Sequence, residues 1–293
     1  MVNEREANRS RIDTLQTAAK EERRNMEELP EGLASSNAGR IARRLGEISA
    51  GKVLDVGTAS GGFISTLIKS LKAYDSFVGI DYCPSEESKR EMESAKKRLE
   101  GKPVQFLEMN AENLQFEDES FDTVCISWSL HHLANIDKVM AEMKRVLRTG
   151  GNFLLQEMYC DGEQTEAQKA DELEHEWEAR IDSMLGVTHN KALTRQKIGD
   201  IARGLELSET EIFDSAHLVN CLFCEKKHQC EDPRNQATFH EAAKDIDNVI
   251  KRIENYPDLE ARRHLVEEGE RIKAAIAASG SSPASYLFVI GRK

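Results

Sequence analysis

The chain of 293 residues is long enough for one large domain or two small ones, and 39% hydrophobic against 31% charged residues supports a sizeable core. Forty Lys and Arg against 52 Asp and Glu leave a net charge of −12, which disfavours general attraction to nucleic-acid phosphates. No apolar run approaches the roughly 18 residues of a membrane-spanning helix. The opening Met1-Val-Asn-Glu-Arg-Glu6 lacks the charged-then-apolar pattern of a signal peptide. The expectation is a soluble, cytoplasmic protein with no nucleic-acid partner and no membrane span.

The first aromatic residue is Phe63, so the segment before it has little bulk for a core. Residues 4–28 carry mixed charge and a thin apolar stripe (Ile12, Leu15, Ala19, Met26) and read as a polar helix, ended by Pro30 and Gly32. Ala38 to Ile48 reads as a second helix. Lys52-Val-Leu-Asp-Val-Gly57 is a strand running into the small-residue turn Thr-Ala-Ser-Gly-Gly62, and Phe63 to Leu71 is helical. Phe77 to Asp81 is the second strand, Ser85 to Leu99 a charged helix and Val104 to Glu108 the third strand. Phe121 to Ser127, a helix from Asp137 to Leu147, and Asn152 to Glu157 follow. Strands alternating with helices predict a parallel sheet covered on both faces, a doubly wound α/β architecture.

Beyond it, Glu163 to about Leu185 is a helical insert. Its first part, up to Glu178, sets seven acids against one Lys169 and reads as a solvated face. Thr194 is placed to cap a helix from Arg195 to Leu205. Glu209 to Phe213 and Ser285 to Ile290 are the last two strands. Between them lie a cysteine cluster and two striped helices, one through Phe239, Ile246 and Ile253, the other through Leu265, Ile272 and Ile276. The expected organisation is an N-terminal helical extension (1–48), an α/β core (49–214) with a helical insert (161–193), a cysteine-containing helical insert (215–282) and a closing strand (283–293).

The turn Gly57-Thr58-Ala59-Ser60-Gly61 lets backbone approach a ligand, with helix N–H groups pointing at it. Such a turn also serves dinucleotides. Asp81 ends the second strand 20 residues after Gly61, where a carboxylate can accept from both ribose hydroxyls. Asn110-Ala-Glu112 follows the third strand, where an amide can meet an adenine edge.

With Glu117-Asp-Glu-Ser-Phe-Asp122, Ser129-Leu-His-His-Leu133 and Arg145-Val-Leu-Arg-Thr-Gly-Gly151 in the same order, the chain resembles the class I S-adenosylmethionine-dependent methyltransferases. The resemblance is to the small-molecule group that includes the ubiquinone and menaquinone biosynthesis enzymes. It spans residues 50–160 and, more loosely, 194–213. It implies a seven-stranded Rossmann-like sheet whose last strand runs antiparallel, with the helical inserts as a lid. It also implies that Gly57 to Gly61 wrap the methionine part of S-adenosylmethionine and that Asp55 positions its amino group. Asp81 would hold the ribose, Tyr82 the adenine face, Asn110 and Ala111 the adenine edge, and Ser127 and Trp128 would border the sulfonium. Three positions depart from the usual pattern: Ala59 for a glycine, Asn110 for an aspartate, and Thr149 for a proline.

Methyl transfer is an in-line displacement that needs positioning and, for some acceptors, a base. His131 and His132 follow the fourth strand and read either as a general base or as residues that cap the next helix or line the cofactor pocket. Glu157 and Tyr159 leave the fifth strand, where ligands of parallel sheets sit. Glu157 would take a proton or bind a cationic acceptor, or it is a surface carboxylate. His189 lies in a loop before the Thr194 helix, where it could face the pocket. Cys83 and Cys160 stand near strand ends, whereas Cys125 reads as core.

Cys221-x2-Cys224-x3-His228-x-Cys230 offers a donor set for tetrahedral zinc or an iron–sulfur cluster, or else comprises thiols on a loop. The reading is methyl transfer to a small organic acceptor, with the oligomeric state open, a homodimer included. The alternatives are methylation of a thiol or metalloid with cysteine participation, and a non-catalytic S-adenosylmethionine-binding module. A dinucleotide oxidoreductase would not need the His-His-Leu and Arg-Val-Leu-x-x-Gly-Gly segments.

Overall fold

The computed structural model describes residues 36–215 and 232–293. The expected helix over residues 4–28 and the cluster Cys221, Cys224, His228 and Cys230 lie outside the described residues. In chain order the elements are α1 (Asn37–Glu47), β1 (Lys52–Val56), α2 (Gly62–Ser70), β2 (Ser76–Asp81), α3 (Glu86–Arg98), β3 (Val104–Glu108) and β4 (Phe121–Ser127). A 3-10 turn (Leu130–His132), α4 (Ile136–Val146), β5 (Leu147–Met158), α5 (Glu166–Met184), α6 (Arg195–Gly204), β6 (Ser208–Ser215), α7 (Gln236–Arg252), α8 (Leu259–Ser279) and β7 (Tyr286–Arg292) follow. Among the described residues, no helix is long and apolar enough to cross a membrane.

The strands form one seven-stranded sheet in the order β3-β2-β1-β4-β5-β7-β6. The first five run parallel, and β7 pairs antiparallel with both β5 and β6. Alternation along β1 explains why both faces are covered. Val53 joins a core with Ile41, Leu45, Ile64, Leu67 and Phe77, under α1 and α2. Leu54 and Val56 join the opposite core with Ile126, Val139, Met143 and Leu155, against α4. Caps set the helix starts: the Ser85, Thr165 and Thr194 side chains accept from backbone N–H groups of their first turns.

Two local expectations are corrected, and a third is extended. The helix after the histidine pair is capped by Asn135, whose side chain accepts from Lys138 N–H, so His131 and His132 do not serve as its cap. The fifth strand starts earlier than Asn152, because Arg148 to Gly151 continue the strand beside the C-terminus, with Gly150 N–H donating to Lys293 O at 2.8 Å. The acidic insert helix is solvated on one side only. Trp177 is completely buried, its indole N–H donating to Leu265 O at 2.9 Å, and it shares a third core with Ile181, Ile246, Ile272 and Ile276. Helices α5, α7 and α8 thus form a separate helical layer.

Candidate active site

The β1–α2 turn reverses the chain using positive φ at Gly57 (70°), Ala59 (41°) and Gly61 (75°). A side chain at Gly57 would meet the Ser129 hydroxyl at 2.4 Å, so only glycine lets the β4 exit lie this close to the turn. Ala59 adopts the left-handed conformation that glycine would take without strain. What fixes it is Asp81, whose Oδ2 accepts from Ala59 N–H at 2.7 Å while Oδ1 accepts from Tyr82 N–H at 2.8 Å. Each oxygen keeps a lone pair for a hydroxyl donor. Burial pushes the Asp81 carboxyl up, against the pull of these two N–H groups.

Asp55 is buried under the turn, with Cys125 Sγ 3.4 Å from its Oδ1. Burial pushes its carboxyl up to about 7, against the pull of neighbouring hydroxyl and thiol donors. Its Oδ2 and the Thr58 hydroxyl are buried near one another, and neither completes a hydrogen bond of normal length and angle. Buried polar atoms are normally satisfied, so these two mark a place where a ligand supplies the missing contacts. Tyr82 is 61% exposed at the rim. Asn110 is exposed, and its side-chain oxygen accepts from Glu112 N–H at 2.8 Å, while Ala111 packs against the core. Ser127 donates to the Gln156 side-chain oxygen at 3.3 Å, and Trp128 follows it with φ of 52°.

Glu157 is not a surface carboxylate: it is fully buried and anchors the β4 exit. Its Oε2 accepts from the N–H groups of Ser129 (3.0 Å) and Leu130 (2.8 Å), and its Oε1 from His131 Nδ1 (2.6 Å). The Ser129 hydroxyl in turn lies 3.1 Å from Gly57 O, so Glu157 is two contacts away from the β1–α2 turn. Tyr159 goes elsewhere. Its phenol donates to Asp214 Oδ1 at 2.7 Å, and burial pushes it up to about 12, so it stays neutral and away from the histidines. Cys125 is core as expected; Cys83 is buried, its Sγ 3.7 Å from Ser88 O, and the Cys160 thiol donates to Ala192 O at 3.2 Å.

His131 and His132 are joined by two histidines from the insert. The His189 ring lies 4.1 Å from that of His132, and His175, on α5, lies 4.8 Å from both His131 and His189, centroid to centroid. His189 Nδ1 donates to Asp182 Oδ2 at 2.6 Å, and Asp182 also pairs with Arg252 of α7. Desolvation, then repulsion from His131 and His189, pushes His175 down to about 3. His132 keeps an open edge but is pushed down in the same direction for the same reasons. Sequence reading had His189 as a loop candidate and missed His175 and Asp182. Their separation of seven residues, two helical turns, was the available signal.

A sheet of this order, with an antiparallel β7 and a glycine turn between β1 and α2, is the class I methyltransferase fold. Residues 54–155 match the family described as a methyltransferase domain. The ubiquinone/menaquinone biosynthesis C-methyltransferase UbiE of Brucella canis is 37% identical over 83 residues, 28% of this chain and 29% of that protein. A phthiotriol/phenolphthiotriol dimycocerosates methyltransferase of Mycobacterium ulcerans is 30% identical over 160 residues, 55% of this chain and 52% of that one. The chain therefore spans about a third to a half of these relatives' lengths. A putative methyltransferase from Bacillus halodurans has the same fold, with a TM-score of 0.50 at 18% identity, covering 87% of this chain and 98% of that chain.

Proposed function

We propose that the protein transfers a methyl group from S-adenosylmethionine to a small organic acceptor, releasing S-adenosylhomocysteine. The observation that carries this reading is the pair of orphaned buried oxygens, Asp55 Oδ2 and Thr58 Oγ1, beneath a glycine turn in a methyltransferase domain. The bound cofactor supplies an electrophilic methyl group. The chain's own residues bind and orient. The Gly57–Gly61 turn wraps the amino-acid end, Asp55 faces its ammonium, and Asp81 offers its remaining lone pairs to the ribose. Tyr82, Asn110 and Ala111 border the adenine, and Ser127 and Trp128 border the sulfonium. The histidines beyond the β4 exit belong to the acceptor side, with α5, α7 and α8 as the lid above them. The acidic charge fits a small acceptor rather than a nucleic acid, in the cytoplasm. Zinc or an iron–sulfur cluster on Cys221, Cys224, His228 and Cys230 is supported by spacing and donor chemistry alone, and metal analysis of the wild type against their serine variants tests it.

Calorimetric titration with S-adenosylmethionine, S-adenosylhomocysteine and NAD tests the cofactor. The two sulfur nucleotides are expected to bind and NAD not to. Asp81→Ala should weaken them at least tenfold, about 1.4 kcal/mol or one lost charge-assisted contact. Equal affinity in wild type and variant would remove Asp81 from the site, and NAD binding would replace the proposed function by a dinucleotide one.

A further inference from the structure

The histidine cluster does more than a lone general base requires. His131, His132 and His189 each turn a ring nitrogen toward the others, all within 4.8 Å. Two of the three are held in a defined tautomer by buried carboxylates: Glu157 accepts the Nδ1 proton of His131, and Asp182 that of His189, both at 2.6 Å. With Nδ1 of His131 and of His189 engaged by a carboxylate, Nε2 is the ring nitrogen left to each for a ligand. A carboxylate behind an imidazole is the arrangement that orients metal-bound histidines and raises their basicity. His175 adds a fourth ring, with its Nε2 3.1 Å from that of His189 and its Nδ1 buried without a partner.

We propose that His131, His132 and His189, with His175 beside them, bind one divalent transition-metal ion of the zinc class. An all-imidazole set suits zinc, copper, nickel or iron and not magnesium or calcium. Three elements are pinned to build it. Asn190 N–H donates to His131 O at 2.7 Å, tying the His189 loop to the β4 turn, and α5 brings His175 and Asp182. The exposed edge of His132 gives the ion a route from solvent. Three protein ligands with room for a fourth form an open site. There the ion polarises an oxygen, nitrogen or sulfur atom of the acceptor, a role that rests on the methyl-transfer reading. Binding of the ion does not.

The test uses the full chain with Cys221, Cys224 and Cys230 changed to serine, so that thiolates cannot supply the site, stripped with chelator and titrated with zinc. One zinc per chain is expected, and His132→Gln or His189→Gln should weaken it at least a hundredfold. Asp182→Asn, which weakens the hold on His189 and also the pairing with Arg252, should weaken it about ten- to a hundredfold. S-adenosylhomocysteine titration of each variant reports separately on the cofactor turn, so its failure would count against the proposed function and not against the metal site. In the chain with its cysteines intact, His189→Gln should lower the zinc content by one equivalent. No zinc uptake by the serine variant, or uptake unchanged by both histidine substitutions, would overturn the assignment.

Discussion

Glu157 is the side chain on which the site's architecture turns, and its removal has a calculable effect. It is fully buried and satisfies three donors: Ser129 N–H, Leu130 N–H and His131 Nδ1. Glu157→Ala leaves all three unpaired. An unsatisfied buried donor costs about 1–3 kcal/mol, and water entering the space left by the carboxylate brings each toward the lower end, so the expected loss is about 4 kcal/mol. Glu157→Gln behaves differently. Its amide oxygen can keep both backbone N–H groups, but its NH2 then faces His131 Nδ1. The ring must move its proton to Nε2 to accept that bond, and the loss of a charge-assisted contact costs about 1–2 kcal/mol. Urea unfolding followed by circular dichroism and by tryptophan emission measures both, since Trp128 lies at the site and Trp177 in the helical layer. Zinc titration reads the tautomer, because a protonated Nε2 has no lone pair to give. Glu157→Ala within about 1 kcal/mol of wild type, or Gln as damaging as Ala, would refute the reasoning.

Asp55 predicts a pH dependence. Burial raises its carboxyl to about 7 in the folded chain, well above the ordinary carboxylate range of the unfolded one, so its contribution to stability is fully present below the unfolded value and is lost as pH rises through about 7. Between pH 5 and pH 8 the wild type should lose roughly 2–3 kcal/mol relative to Asp55→Asn, read from urea midpoints; a constant difference would contradict this origin. Ala59→Gly should stabilise the fold by about 1 kcal/mol, because φ of 41° costs an alanine what it does not cost a glycine. A thermal melt checks it, and a lower melting temperature in the variant would mean that the methyl group packs favourably.

Much of the sheet was legible because its strands are short apolar runs bounded by glycine, aspartate and charged helices, the pattern of a parallel sheet covered on both faces. The pairing of the turn with Asp81 was legible in the same way, as a spacing between two strand ends. The burial of Glu157 was not. A carboxylate at a strand exit reads as solvent-facing, and what pulls it inside is the unpaired backbone of residues 129 and 130, which depends on how tightly the β4 exit turns. His175 was hidden by its neighbours. The acids around it read as a solvated face, yet Asp171 is held inside with its carboxyl pushed up to about 7 by burial, and the side that carries Trp177 packs inward.

These two unread features belong to one line of contacts. The Ser129 hydroxyl lies against Gly57 O, Glu157 holds the backbone of Ser129 and the ring of His131, and His131 O receives Asn190 N–H. One residue earlier His189 meets Asp182, which pairs with Arg252 on α7. The β1–α2 turn on the sheet and the helical layer are therefore joined through the imidazoles rather than through apolar packing alone. Apolar contact would tolerate sliding of one layer over the other, whereas these bonds are directional and buried, and a shift of one ring leaves a proton or a lone pair without a partner. The histidines thus set the spacing between the turn that would hold the methyl donor and the helices that would cover the acceptor, and an ion bound among them would fix that spacing further.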